Sequence, residues 1–263
     1  MLMAKAPAEL LLLSQLLTLQ QGVAALDPPA ATMKYNGGKF KVLQFADMHL
    51  QNGANTSCSD VAPAAEAGCS DLNTTVFLDA VLKLERPDLV VFSGDNTHAA
   101  NSVTWAIDLF TKVCKDNNVP FAAVQGNHDQ ASLQKGMSRK KVQEYYNQVS
   151  GSKSVSGPDL PENSVKTTVE PGAHWPWGDD GHYGNFYIEL QKADGSTGAT
   201  LYLLDSGDTA KYRAVGGADW IFDSQVAWFL NTSLELQAKR GGTVLPASAW
   251  FHIPLPEVRC HAI

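Results

Sequence analysis

Short apolar runs alternate with longer segments of helical period along most of this chain. Residues 39–45 are rich in β-forming side chains and end at Ala46-Asp47. From 75 to 84, apolar residues recur at helical spacing, behind the cap-forming stretch Asp71-Leu72-Asn73-Thr74 and ahead of Pro87. Residues 89–92 are fully apolar and end at Ser93-Gly94-Asp95-Asn96. A second helical pattern covers 103–113, and a third strand-like run, 121–124, ends at Gln125-Gly126-Asn127-His128-Asp129. Residues 139–149 read as a polar helix and 150–181 as an irregular, Gly/Pro/Ser-rich excursion. Residues 183–190 and 200–204 are expected to pair around Ala193-Asp194-Gly195-Ser196. A helix over 223–237 and a strand over 247–253 complete the pattern, and no internal repeat is visible. An opening of the form β-α-β-α-β predicts an α/β fold with parallel strands and crossover helices. In such sheets functional groups gather beyond the carboxyl ends of the strands, where the polar motifs of this chain stand.

Composition narrows the partners. The chain has 263 residues, 44% hydrophobic and 18% charged, which is ordinary for a globular protein. A net charge of -7 argues against nucleic acid or a polybasic membrane patch. Phosphate chemistry here would need local positive charge, and metal ions are its simplest source. At the N-terminus, Lys5 precedes an apolar stretch over 10–19 and the small residues Val23-Ala24-Ala25. This reads as a signal peptide over 1–25, followed by a linker over 26–38; a buried helix or an uncleaved anchor is the competing reading. The apolar stretch is shorter than the roughly 20 residues a spanning helix needs, so no membrane span is expected after cleavage. Sequons at Asn55, Asn73 and Asn231 agree with a secreted or vacuolar glycoprotein, expected to be a monomer. Cys58 and Cys69 flank a polar loop that a disulfide would pin. Cys114 falls in an amphipathic helix and Cys260 has no evident partner.

Four polar clusters follow four β-type runs: Asp47-Met48-His49, Gly94-Asp95-Asn96, Gly126-Asn127-His128-Asp129, and His252 within Trp250-Phe251-His252-Ile253-Pro254. Each residue taken singly reads as a capped turn or a buried polar group. As an ordered set after successive strands, they read as metal ligands, because carboxylate, imidazole and amide oxygen suit Mn, Fe or Zn. Asp and His two positions apart project to one side of an extended chain. The glycines before Asp95 and Asn127 permit sharp turns and close backbone approach. His174 and His182 read as packing or solvent histidines, and Asp205 and Asp208 as polar turn residues.

Asp-x-His, Gly-Asp-Asn and Gly-Asn-His-Asp in this order resemble the calcineurin-like metallophosphoesterase superfamily. Phe251-His252-Ile253-Pro254-Leu255-Pro256-Glu257, together with Leu201-Tyr202-Leu203-Leu204-Asp205-Ser206-Gly207-Asp208, is similar to the purple-acid-phosphatase-related branch of plants and fungi. The resemblance implies a domain over 39–257, built as a four-layer α/β/β/α sandwich of two mixed sheets. It implies that Asp47 and His49 bind a first metal, that Asp95 bridges, and that Asn127 and His252 bind a second. It further implies that Asn127 and His128 contact the phosphate and that His128 assists the leaving oxygen. The implied reaction is hydrolysis of phosphate esters by a bridging hydroxide. Two features depart from the pattern. His98 stands where purple enzymes carry an iron-ligating Tyr, so neither colour nor an iron requirement is expected. The family's Gly-His-x-His does not occur, and residues 258–263 form an atypical tail. The expectation is therefore a site and a sheet incomplete at the C-terminus, with a non-catalytic secreted glycoprotein as the alternative function.

Overall fold

The computed structural model describes residues 31–35, 38–58, 61–129, 134–157, 182–208 and 217–255. Among the described residues there are seven strands: β1 (Ala31–Lys34), β2 (Val42–Phe45), β3 (Leu89–Ser93), β4 (Phe121–Val124), β5 (Phe186–Gln191), β6 (Thr197–Leu203) and β7 (Ala247–Trp250). Five α-helices accompany them: α1 (Pro63–Glu66), α2 (Asp71–Glu85), α3 (Val103–Asp116), α4 (Arg139–Gln148) and α5 (Asp223–Lys239). One sheet has the order β2-β3-β4 and is parallel throughout. The other has the order β1-β5-β6-β7 and is mixed, with β5 and β6 antiparallel.

The apolar runs are explained by the layering. Side chains of a strand alternate between faces. On β3, Val90 and Phe92 turn toward the helices, while Leu89 and Val91 turn toward the second sheet. A strand covered on both faces needs no polar side, so β3 and β4 read as unbroken hydrophobic stretches. One core lies between β2-β3-β4 and helices α2, α3 and α4. A second lies between the two sheets. A third forms where Trp228, Phe229 and Leu236 of α5 meet Tyr187 and Tyr202 on the outer face of the mixed sheet. The result is the expected α/β/β/α sandwich, with one difference: among the described strands the β2-β3-β4 sheet is parallel and only the other is mixed.

Three local expectations change. Residues 31–34 are not linker: they form β1, parallel to β5, and Met33 enters the core between the sheets. The Pro/Ala-rich composition around them hid a strand whose pairing partner lies over 150 residues away. Helix α2 starts four residues earlier than its apolar period suggests, because Asn73 Oδ1 accepts the amide of Ser70 at 2.9 Å. Asp71 instead accepts the amides of Gln51 and Gly53, at 2.8 and 2.7 Å, and ties the preceding loop to the helix. Strand β7 ends at Trp250, which places His252 beyond the strand in a bend. Cys58 and Cys69 are bonded, with Cα atoms 5.5 Å apart. Asn55 lies in a short 3-10 turn, and Asn73 and Asn231 lie exposed on α2 and α5. The signal-peptide reading, the tail over 258–263 and Cys260 lie outside the described residues. Among the described residues no helix is long and apolar enough to cross a membrane.

Phe92 is the centre of the helix-side core: it is fully buried and meets Phe45, Phe110 and Phe121 at ring-centroid distances of 6.1, 4.6 and 5.8 Å. Phe92→Ala should lower the unfolding free energy by about 3–5 kcal/mol, read as a lower midpoint in urea titration followed by circular dichroism.

Candidate metal centre

The β2–β3 pairing does not stop at the strand ends. Asp47 N donates to Gly94 O (3.0 Å), His49 N to Asp95 O (2.9 Å), Leu50 N to Asn96 O (3.0 Å) and His98 N to Leu50 O (3.1 Å). This main-chain zipper sets the two loops side by side beyond the carboxyl ends of their strands. Asp47, His49 and Asp95 have φ of 56°, 49° and 51°. Left-handed backbone is uncommon outside glycine, but Asp and His tolerate it better than most residues. Such strain clusters where a side chain must be aimed, and here it turns three side chains toward one another.

The aimed atoms converge on Asp95. Its Oδ2 lies 3.4 Å from His49 Nε2 and 3.3 Å from His252 Nε2. Two ligands held about 2.1 Å from one ion at a tetrahedral angle stand about 3.4 Å apart, so each spacing fits a shared ion. Ligand atoms of Asp47, Asp95 and His252 also fall within 4.8 Å of one another. His252 Nδ1 meets the Ser93 carbonyl at 3.1 Å. A carbonyl can only accept, so the Nδ1 proton is fixed there and Nε2 is the nitrogen offered to the site. His128 N donates to Asp95 Oδ1 at 2.8 Å, which sets the Gly-Asn-His-Asp loop against the same carboxylate. Its ring Nε2 is 3.9 Å from Asp95 Oδ2. Asn127, half-buried, follows Gly126 on that loop. The Asp95 and His252 side chains are 4% and 10% exposed and that of Asp47 is 63%, so the site has a closed floor and an open rim.

The two glycines are close-approach residues. A Cβ on Gly94 would stand 2.6 Å from His252 Cγ. One on Gly126 would stand 2.2 Å from Asp95 Oδ1 and 2.8 Å from His252 Cδ2.

Residues 40–237 match the family described as calcineurin-like phosphoesterase. The chain belongs to this family. Among curated proteins it is 36% identical over 233 residues to "Probable inactive purple acid phosphatase 29" of Arabidopsis thaliana, covering 84% of this chain and 55% of that one. It is 36% identical to "Probable inactive purple acid phosphatase 14" of the same plant, covering 89% of this chain and 58% of that one. It is 33% identical to "Phosphatase DCR2" of Saccharomyces cerevisiae, covering 84% and 35%. The chain thus spans about half the length of the Arabidopsis relatives it matches. Among solved structures, a dimetal phosphatase from Danio rerio aligns over 83% of this chain and 71% of its own, at 13% identity and a TM-score of 0.47.

Beneath the calcineurin-like site lies a buried polar layer. Asp129 accepts the amides of Gly126 (2.7 Å) and Thr97 (2.9 Å), so it ties the β3 and β4 loops together. Burial pushes its carboxyl up to about 6. Arg139, on the first turn of α4, donates Nη1 to Gly126 O at 2.7 Å and pairs with Asp205 through Nε and Nη2. Asp205 also accepts the amides of Tyr183 (2.8 Å) and Gly207 (3.0 Å). Asp205 is therefore the buried counter-ion that joins the second sheet to the Gly126 loop, which its place in a polar turn does not disclose. His182 is a packing histidine: it stacks on Phe222 at 4.0 Å and lies between Gln225 Oε1 (2.7 Å) and Asp219 Oδ2 (3.1 Å). His174 lies outside the described residues.

Electrostatics at the floor favour a carboxylate. Burial alone would raise the Asp95 carboxyl, but bonds from His252 and the His128 amide hold it below the ordinary carboxylate value. Burial would likewise favour a neutral His252; the bond to Asp95 and its charge outweigh this and raise the imidazole. His98 is lowered, by burial and then by His128 and His49.

Gly126→Ala should displace Asp95 and abolish metal uptake at this candidate site, at a stability cost of about 1–3 kcal/mol. Metal content by mass spectrometry, beside a thermal melt, separates that outcome from unfolding.

Proposed function

We propose that the chain carries a dinuclear-metal site that hydrolyses phosphate esters. The observation that supports this best is the position of Asp95 Oδ2, between the nitrogen His49 offers and the nitrogen His252 offers, each within the spacing of two ligands on one ion. Asp47, His49 and Asp95 would hold one ion; Asp95, Asn127 and His252 would hold the other. The donor set suits Mn, Fe or Zn. Bound there, two ions would supply a hydroxide nucleophile and the positive charge that a displaced phosphoryl group requires. In a chain with a net charge of -7, bound ions would be the simplest source of that positive charge.

The remaining work falls to side chains. Asp95, ionised and buried, fixes the floor. His128, on the open rim with its amide bonded to Asp95, would contact the phosphate with Asn127 and donate a proton to the leaving oxygen. The reading includes a secreted or secretory-pathway location, with the exposed Asn73 and Asn231 and with Asn55 as glycan acceptors, and a monomeric state. A second reading, a metal-binding glycoprotein without turnover, is supported by the word "inactive" in the names of the two Arabidopsis relatives.

The test is metal content of the full chain beside hydrolysis of aryl and alkyl phosphates. The enzyme reading expects two ions per chain, and turnover that chelation abolishes and added metal restores. His128→Ala should keep both ions and lose about 10²–10⁴-fold on an alkyl ester. The loss should be smaller on an aryl ester, whose leaving group needs no proton. Two ions without turnover of either ester at any pH would favour the second reading.

A further inference from the structure

We infer that His98 is a positioning residue for the metal-ligating nitrogen of His49, acting as the acceptor of the His49 Nδ1 proton. This rests on the reading of His49 as a ligand. The two Nδ1 atoms lie 3.2 Å apart, while His49 Nε2 points the other way, to Asp95 Oδ2. Two imidazole nitrogens bond at that distance when one carries a proton and the other does not. A nitrogen that offers its lone pair to an ion is unprotonated, so His49 must carry its proton on Nδ1. His98 Nδ1 is then the acceptor, and the His98 proton sits on Nε2. His98 thus stands behind His49, on the side away from Asp95, and is not itself placed as a ligand.

The contact is built by the main chain. His98 N donates to Leu50 O at 3.1 Å, and Leu50 bridges Thr97 in parallel register. Thr97 is held in turn by Asp129, whose Oδ1 accepts its amide at 2.9 Å. His98 also packs on His128, with ring centroids 4.3 Å apart, and on His49 at 5.2 Å. The arrangement completes a symmetry in the site. The Ser93 carbonyl fixes the tautomer of His252 on one side of Asp95, and His98 does the same for His49 on the other. A partner on the far ring nitrogen is the usual way a ligand histidine is oriented, and its loss typically costs 10–100-fold in metal affinity. Here that partner is a neutral imidazole, which adds no charge at the ion.

The experiment reads the imidazole nitrogens of His49 by long-range 15N–1H correlation in the metal-free and zinc-loaded chain, beside zinc titration calorimetry. Wild type should show the Nδ1–H form of His49. In His98→Phe, which keeps a ring of similar shape, that preference should be lost, and one of two zinc ions should bind 10–100-fold more weakly. His98→Asn, whose amide oxygen can accept, should recover both readouts. An unchanged His49 tautomer in His98→Phe overturns the inference, and if two zinc ions still bind, the dinuclear reading stands without it. A His49 tautomer that changes in His98→Phe, when the wild-type chain takes up no zinc, would support the pairing and sink the dinuclear reading instead.

Discussion

A single buried carboxylate sets the terms for the rest of this structure. Asp95 sits at the end of β3 with φ of 51°, a backbone state that side chains other than glycine resist. It is held there by the amide of His128 and by the His49 amide on its carbonyl. Its neighbours make room. Gly94 and Gly126 lack the Cβ atoms that would collide with His252 and with Asp95 itself. An anionic group at this depth is costly unless it is bonded on several sides. The loops that end β2, β3, β4 and β7 converge because each contributes to that satisfaction. The same convergence produces the spacing that two ions would require.

The buried layer under Asp95 links this geometry to the stability of the fold. Asp129 joins the β3 and β4 loops. Arg139 joins α4 to the Gly126 carbonyl and, through Asp205, to the second sheet. Breaking such a pair by removing one partner leaves an uncompensated buried charge, which is more damaging than never having had the pair. The site is therefore rigid on its floor and open on its rim, where Asp47, His49 and His128 meet solvent. That division suits a reaction in which charge is held fixed and the substrate arrives from outside.

How much of this was readable from residues alone depends on where each partner lies. The helices and central strands follow from local period: residues 89–92 and 121–124 announce buried strands because both faces are covered. The ligand-type residues follow from their place just past those runs. Strand β1 was hidden, because Ala31–Lys34 is made a strand by β5, far along the chain, and not by its own composition. The cap-forming stretch Asp71-Leu72-Asn73-Thr74 was legible, but not the division of labour within it: Asn73 accepts the Ser70 amide, while the Asp71 carboxylate accepts the distant amides of Gln51 and Gly53. Asp205 stood in a segment that marked the family, but nothing local marked it or Arg139 as partners. An ion pair across 66 positions has no spacing rule, and Arg139 sat in a stretch that reads as a solvated polar helix. His98 was visible as a departure from the family pattern, but its contact with His49 depends on the main-chain zipper between the two loops.

The most direct test of the central claim, that Asp95 is shared by two ions, is anomalous X-ray diffraction from crystals of the full chain soaked in Mn²⁺ or Zn²⁺. The account predicts two peaks about 3.5–4 Å apart, one on the His49 side of Asp95 and one on the His252 side, both within ligand distance of its carboxylate. A single peak, or peaks that leave Asp95 uncoordinated, would contradict it.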